Sequence, residues 1–157
     1  MFNQNIQCKK ILSLFLVLSG SAFLSGCVYH NYGSPHINGV ITDQGQTLAG
    51  VKVSLANFDQ KVQTTTTDTK GHFSFIPQGE WNVFIPIGPQ DRMNNWSIII
   101  EQGPLEITGY KRSHLGGAFS GYSYRDHITL VCDVSLSRKD IGDSDNNPVC
   151  RPDIDSQ

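Results

Sequence analysis

The sequence predicts an all-β domain, a sandwich of seven or so short strands, and three observations lead there. From Ile37 onward apolar residues alternate with polar ones, and no apolar stripe at i, i+3, i+4 and i+7 persists for three turns. The alternating runs are five to ten residues long and are divided by Gly, Pro, Asn and Asp clusters. The β-branched residues concentrate in the runs, where a pleated, half-buried surface suits them.

The elements follow in order. His36 to Thr42 suits a first strand, and Asp43-Gln44-Gly45-Gln46 a turn in which Gly supplies positive φ. Gly50 to Ala56 places Val51, Val53 and Leu55 on one face and Lys52 and Ser54 on the other. Val62 to Thr67 is β-branched and polar, a strand with one solvated face. Asp68-Thr69-Lys70-Gly71 turns into His72 to Ile76, with Phe73 and Phe75 inward. Trp81 to Ile85 follows a Pro-Gln-Gly turn, and Trp96 to Glu101 follows a polar loop. A short strand is expected from Leu105 to Lys111, and a Gly, Ser and aromatic loop from Leu115 to Tyr124. His127 to Leu136 puts Ile128, Leu130, Cys132, Val134 and Leu136 on one face. The polar, acidic remainder, 137–157, reads as a tail ordered in part by a Cys132–Cys150 link.

Ahead of the domain the chain carries Lys9 and Lys10 with no acid in the first ten residues, then an apolar and small-residue run from Ile11 to Gly26. That is the charge and hydropathy order of a secretory signal, and the run is short of the about 20 apolar residues a membrane span needs. It ends Leu24-Ser25-Gly26-Cys27, which resembles the bacterial lipobox. The resemblance implies cleavage of residues 1–26 and diacylglycerol on Cys27, with 28–36 as a short irregular tether. A single acyl chain binds a membrane marginally, whereas two or three hold it. Val28 stands where an inner-membrane retention signal has Asp, so the resemblance implies an outer-membrane address facing the periplasm.

Removing Lys9 and Lys10 leaves 10 basic residues against 14 acidic ones, a formal charge of −4. A mildly acidic chain without a basic cluster excludes phosphate-backbone binding as its business, and nucleic acid is not an expected partner. In an oxidising compartment Cys132 and Cys150 are expected to pair; no His stands beside either, and their spacing is far from a Cys-x-x-Cys motif.

Between Ile37 and Val83 the chain resembles the carboxypeptidase regulatory-like domain. The residues that carry it are Leu48-Ala49-Gly50-Val51, the step Thr67-Asp68-Thr69-Lys70-Gly71-His72-Phe73, and Pro77-Gln78-Gly79. The resemblance implies a transthyretin-like seven-stranded sandwich over 37–136. Its motifs shape turns and mark no activity.

Candidate chemistry is sparse. His30, His36, His72, His114 and His127 show no metal-ligand spacing, so neither a metal nor a cofactor is expected. Asp143 to Asn147 begins like a calcium loop, but Pro148 and Ile154 occupy the places of its Gly and its bidentate Glu. Tyr124-Arg125-Asp126 half matches the Tyr-Arg-Gly-Ser ending of the 5-hydroxyisourate hydrolases, too far from the end to carry that activity over. No Gly-x-Ser-x-Gly elbow is present, and an enzyme is not expected. Binding remains. Trp96, Tyr122 and Tyr124 are the candidate ligand contacts, with Phe119 beside them; the alternative is that Trp81 and Trp96 fill the core and the tyrosines cover its edge, and for Trp81 the core is the expectation. The expected partner is another envelope protein, in assembly, secretion or immunity to a toxin, and the alternative is a glycan or small ligand.

Overall fold

The computed structural model describes residues 27–84, 88, 91–136 and 149–153. The signal segment 1–26, the candidate calcium loop and most of the acidic tail lie outside them. The fold is an all-β sandwich. One sheet holds β11 (Cys150–Pro152), β10 (His127–Asp133), β2 (His36–Asp43) and β3 (Gln46–Thr47) in that order, with β6 (His72–Phe75) also paired to β2. The other holds β5 (Gln60–Thr66), β4 (Lys52–Asn57), β8 (Arg92–Gln102) and β9 (Leu105–Gly116). A two-stranded ribbon of β1 (Cys27–Tyr32) and β7 (Gly79–Phe84) stands apart from both sheets. Strand pairs are antiparallel except β10 and β2, which run parallel from His127 opposite His36 to Asp133 opposite Thr42.

The core is what the alternation demanded. Ile37, Ile41, Phe73, Phe75, Leu130, Cys132 and Val134 from the first sheet cluster with Val53, Leu55, Trp96, Ile98 and Ile100 from the second. The turn motifs have visible work. Both backbone N–H groups of Lys70 and His72 donate to Asp68 Oδ1 at 2.8 Å. Gly71 sits at φ +77, where an added Cβ would come within 2.7 Å of the Ile41 carbonyl oxygen. This turn delivers Phe73 to the core. The buried Thr67 hydroxyl donates to the Leu48 carbonyl at 2.7 Å and accepts from Val51 N–H at 2.9 Å, closing the Leu-Ala-Gly-Val corner.

Several expectations need correction. Residues 27–36 are not an irregular tether, because Cys27–Tyr32 pair with Gly79–Phe84 through six registered positions. Alternation was invisible there because both faces of the ribbon carry aromatics. Ser54 is fully buried rather than solvated. It lies on a central strand between Thr64 and Ile99, and its hydroxyl is 3.0 Å from that of Thr64. Trp81, expected in the core, is 74% exposed. The second sheet is longer than expected, since β8 begins at Arg92 and β9 runs on through Gly116. The first sheet extends beyond residue 136, because β11 brings the tail back beside β10.

The Cys132–Cys150 disulfide is present, buried in the core, and joins β10 to β11 at directly opposite positions. Its Sγ approaches the other sheet closely: a Cβ on Gly109 of β9 would lie 2.7 Å from Cys150 Sγ. The bridge spans 18 residues, so replacing both cysteines with alanine is expected to lower unfolding free energy by about 3 kcal/mol in urea titrations, and more if packing is lost.

On the solvent face of the second sheet Lys52 and Lys61 both reach Glu101, at 3.0 and 2.9 Å, and Lys61 also reaches Glu106 at 2.6 Å. Hydrogen bonds from Lys61 and then Lys52 hold the Glu101 carboxyl below its ordinary 4.5, and the His72 and Lys70 amides hold Asp68 below 3.8. A depressed carboxyl stabilises the fold above its unfolded value and loses that contribution as pH falls through the folded one. Combining Asp68→Asn with Glu101→Gln is therefore expected to flatten the decline of the urea midpoint below about pH 4.5, relative to wild type.

Candidate functional site: an aromatic ribbon and an edge cleft

Side chains alternate along a strand, so the ribbon has two faces. The inward one carries Tyr29, Asn31 and Phe84. Tyr29 donates to the Ala118 carbonyl at 2.8 Å, and Phe119 meets Tyr29 and Phe84 with ring centroids 4.9 and 5.0 Å apart. The outward face has Val28 opposite Val83, His30 opposite Trp81 and Tyr32 opposite Gly79. It bears no Asp, Glu, Lys or Arg. Val28 and Val83 are each 60% exposed. Gly79 is required here, since a Cβ would enter the space of the His30 and Tyr32 rings. Rings then continue without a break, Trp81 to His30 at 4.8 Å, His30 to Tyr32 at 4.7 Å, Tyr32 to Tyr124 at 5.8 Å and Tyr124 to His36 at 4.7 Å.

The strip leads toward a cleft of about 610 Å³ at one edge of the sandwich. Arg112 comes from β9, His127, Ile128 and Thr129 come from β10, and Tyr122, Arg125 and Asp126 come from the β9–β10 connection. Residues 123–126 form a tight turn that fixes this connection. Asp126 Oδ2 accepts from Ser123 N–H at 2.7 Å, and the Asp126 carbonyl accepts from His36 N–H at 2.8 Å. The turn therefore projects Tyr124 and Arg125 from a held backbone. Neither the Arg112 nor the Arg125 guanidinium makes an ion pair among the described residues.

The three sequence candidates separate. Trp96 is fully buried, and its indole N–H donates to the Tyr122 hydroxyl at 2.8 Å, so it is no ligand contact. Tyr122 is half-buried: its ring lies at the cleft, its hydroxyl is spent on Trp96, and its backbone N–H donates to the Tyr32 carbonyl at 3.2 Å. Tyr124 is 56% exposed and joins the ring strip. Composition alone missed Arg112 and Arg125, which are 13 positions apart and meet only through the cleft. It also missed Trp81. The Pro77-Gln78-Gly79 turn was a usable signal, because a Gly opposite an aromatic in a short strand makes room for rings above the backbone. Among the described residues no group of three or more His, Cys, Asp or Glu could hold a metal ion. The candidate lipidation residue Cys27 is the first residue of β1.

Fold and surface define a small all-β sandwich protein that presents aromatic and arginine side chains from one edge. No protein-family model matches the chain, and no curated protein matches it. Among solved structures it is similar to the 5-hydroxyisourate hydrolase of Klebsiella pneumoniae, at 14% identity and a TM-score of 0.31, over 62% of this chain and 89% of that one. A likeness of that size carries no argument about activity.

Tyr122→Phe removes the acceptor of a buried indole N–H while keeping the ring. It is expected to cost about 1–3 kcal/mol of stability, seen as a lowered melting temperature with the fold retained.

Proposed function

We propose that this protein is a non-catalytic lipoprotein of the cell envelope, held on the outer membrane by acyl chains at Cys27, whose sandwich binds another envelope protein. The observation that supports it most is the uncharged outward face of the ribbon that starts at Cys27. Strand residues advance about 3.3 Å each, so Trp81, opposite His30, stands about 10 Å of strand from the acylated residue. Trp and Tyr favour the membrane–water interface, where an amphipathic ring meets both phases. With no irregular linker between anchor and sandwich, acylation would hold the domain close to the bilayer with this face toward it. A transthyretin-like ancestry shared with carboxypeptidase regulatory-like domains belongs to the same reading and rests on the turn motifs already described.

The edge cleft is the surface offered to the partner. Interfaces are enriched in Tyr and Arg, which combine large buried area with directional hydrogen bonds. Two guanidiniums with no ion pair among the described residues suit a partner segment bearing carboxylates. The role at that contact is assembly, secretion or neutralisation of an incoming toxin.

Intact mass of the purified protein tests the anchor, with Cys27→Ser as the unlipidated control. Affinity capture of the tagged protein from native envelopes tests the partner. One protein enriched in near-stoichiometric amount is expected, and Arg112→Ala with Arg125→Ala is expected to reduce it at least tenfold. Equal recovery by the double variant would remove the cleft from the interface, and no enriched protein at all would defeat the partner reading.

A further inference from the structure

The hydrogen bonds of the ribbon leave one side of β7 unused. The Tyr32 carbonyl accepts from Tyr122 N–H, so the backbone of Tyr32 points away from β7. Bonding and non-bonding residues alternate in an antiparallel pair. Asn31, Tyr29 and Cys27 therefore bond to β7, and by register their partners are Glu80, Asn82 and Phe84. The N–H and C=O groups of Gly79, Trp81 and Val83 face the other way. Among the described residues no strand pairs with that side of β7, and all three residues are exposed.

The other strand edges are blunted in the ways that keep sheets from joining. β3 has two residues, β6 has four, and β11 has three and ends on Pro152. β9 carries Lys111 and Arg112, and β5 carries Lys61 and a Gln63 side chain that donates to the Ile76 carbonyl at 2.8 Å. The far side of β1 is bridged by Tyr122. Gly79–Phe84 has no Lys, Arg, Pro or bulge, while Trp81 and Val83 are 74% and 60% exposed. A two-stranded ribbon is marginal by itself, and further strands complete it.

We infer that β7 pairs antiparallel with β7 of a second copy of this chain, about a two-fold axis at Trp81. What selects a second copy is that the strand complements itself in this register. Trp81 stands opposite Trp81 of the copy and Gly79 opposite Val83, so every free backbone group on this edge gains a partner. Glu80 stands opposite Asn82 of the copy. One Asn82 Nδ2 hydrogen goes to the Glu80 carbonyl of its own strand at 3.1 Å, which leaves the other for the carboxylate of the copy's Glu80. The two Glu80 carboxylates lie on a diagonal, and the strand carries no other charge. Such a pairing is isologous and closes as a dimer. Opposed side chains point to the same face, so the uncharged faces of the two ribbons join into one surface in the order β1-β7-β7-β1. This inference rests on neither the lipid anchor nor the edge cleft.

Cysteine cross-linking reads the register. Opposed residues of a non-hydrogen-bonded antiparallel pair have Cα atoms about 4.5 Å apart, within reach of a disulfide, whereas diagonal neighbours lie beyond about 7 Å. Full-length chains carrying Glu80→Cys or Asn82→Cys are expressed singly and together, purified and oxidised, and the wild type corrects for Cys8 and Cys27. A disulfide-linked dimer is expected from the co-expressed pair, at least tenfold above either variant alone. No excess in the co-expressed pair overturns the inference. Val83→Pro gives the second measurement, because it removes an outward N–H without touching a bond to β1, and proline is tolerated on a strand edge that faces solvent. Added to both cysteine chains, it is expected to cut the dimer yield at least tenfold at an unchanged melting temperature. An undiminished yield means that the chains meet elsewhere, and it overturns the inference as well.

Discussion

The hydrogen bond from the Trp96 indole to the Tyr122 hydroxyl joins the parts of this molecule that sequence keeps apart. Trp96 is the largest fully buried side chain, and its N–H must find an acceptor inside the sandwich. Tyr122 supplies it from the β9–β10 connection, while its own backbone N–H binds the Tyr32 carbonyl at the end of β1. One residue thereby fixes the connection to the core and the ribbon to the connection. The ring strip, the cleft and the orientation of β1 all take their positions from that pin, and the tight turn at 123–126 extends it to Tyr124 and Arg125.

A second constraint works from the opposite side of the core. The disulfide brings β11 beside β10 and presses its sulfur toward β9, where Gly109 leaves room for it. Gly109 falls at the irregularity between Ile98 and Ile99, where β9 carries one residue more than β8 across the same interval. A bulge and a glycine at one point let the two sheets close on a sulfur bridge without a gap. The exposed ion-pair group around Glu101 adds charge complementarity on the outer face, where solvent screening keeps its contribution small.

The surface is organised by what the core does not use. Trp81, Val28 and Val83 remain outside because β1 and β7 form a two-stranded ribbon whose outward face no other described element covers. Exposed rings there and two guanidiniums at the edge cleft are two chemically distinct surfaces on one small domain.

The all-β class, the core faces of β2, β4, β6 and β10, the turns at Gln44-Gly45 and Asp68–Gly71, and the cysteine pair were legible in the sequence. Each depends on local geometry: a two-residue alternation, a residue tolerant of positive φ, or an even count of thiols. Of the ribbon only the strand at Trp81 was read; β1 was hidden, because both faces of the ribbon carry aromatics and the pairing of residue 27 with residue 84 has no local trace. The fate of individual aromatics was hidden for the same reason. Trp81 and Trp96 look alike in sequence, and only tertiary packing decided which was core and which was surface: β8 lies inside one sheet of the sandwich with Trp96 in the shared core, whereas no described element covers the face of β7 that bears Trp81. Arg112 and Arg125 come to one cleft only through long-range packing, so tertiary structure alone brought them together.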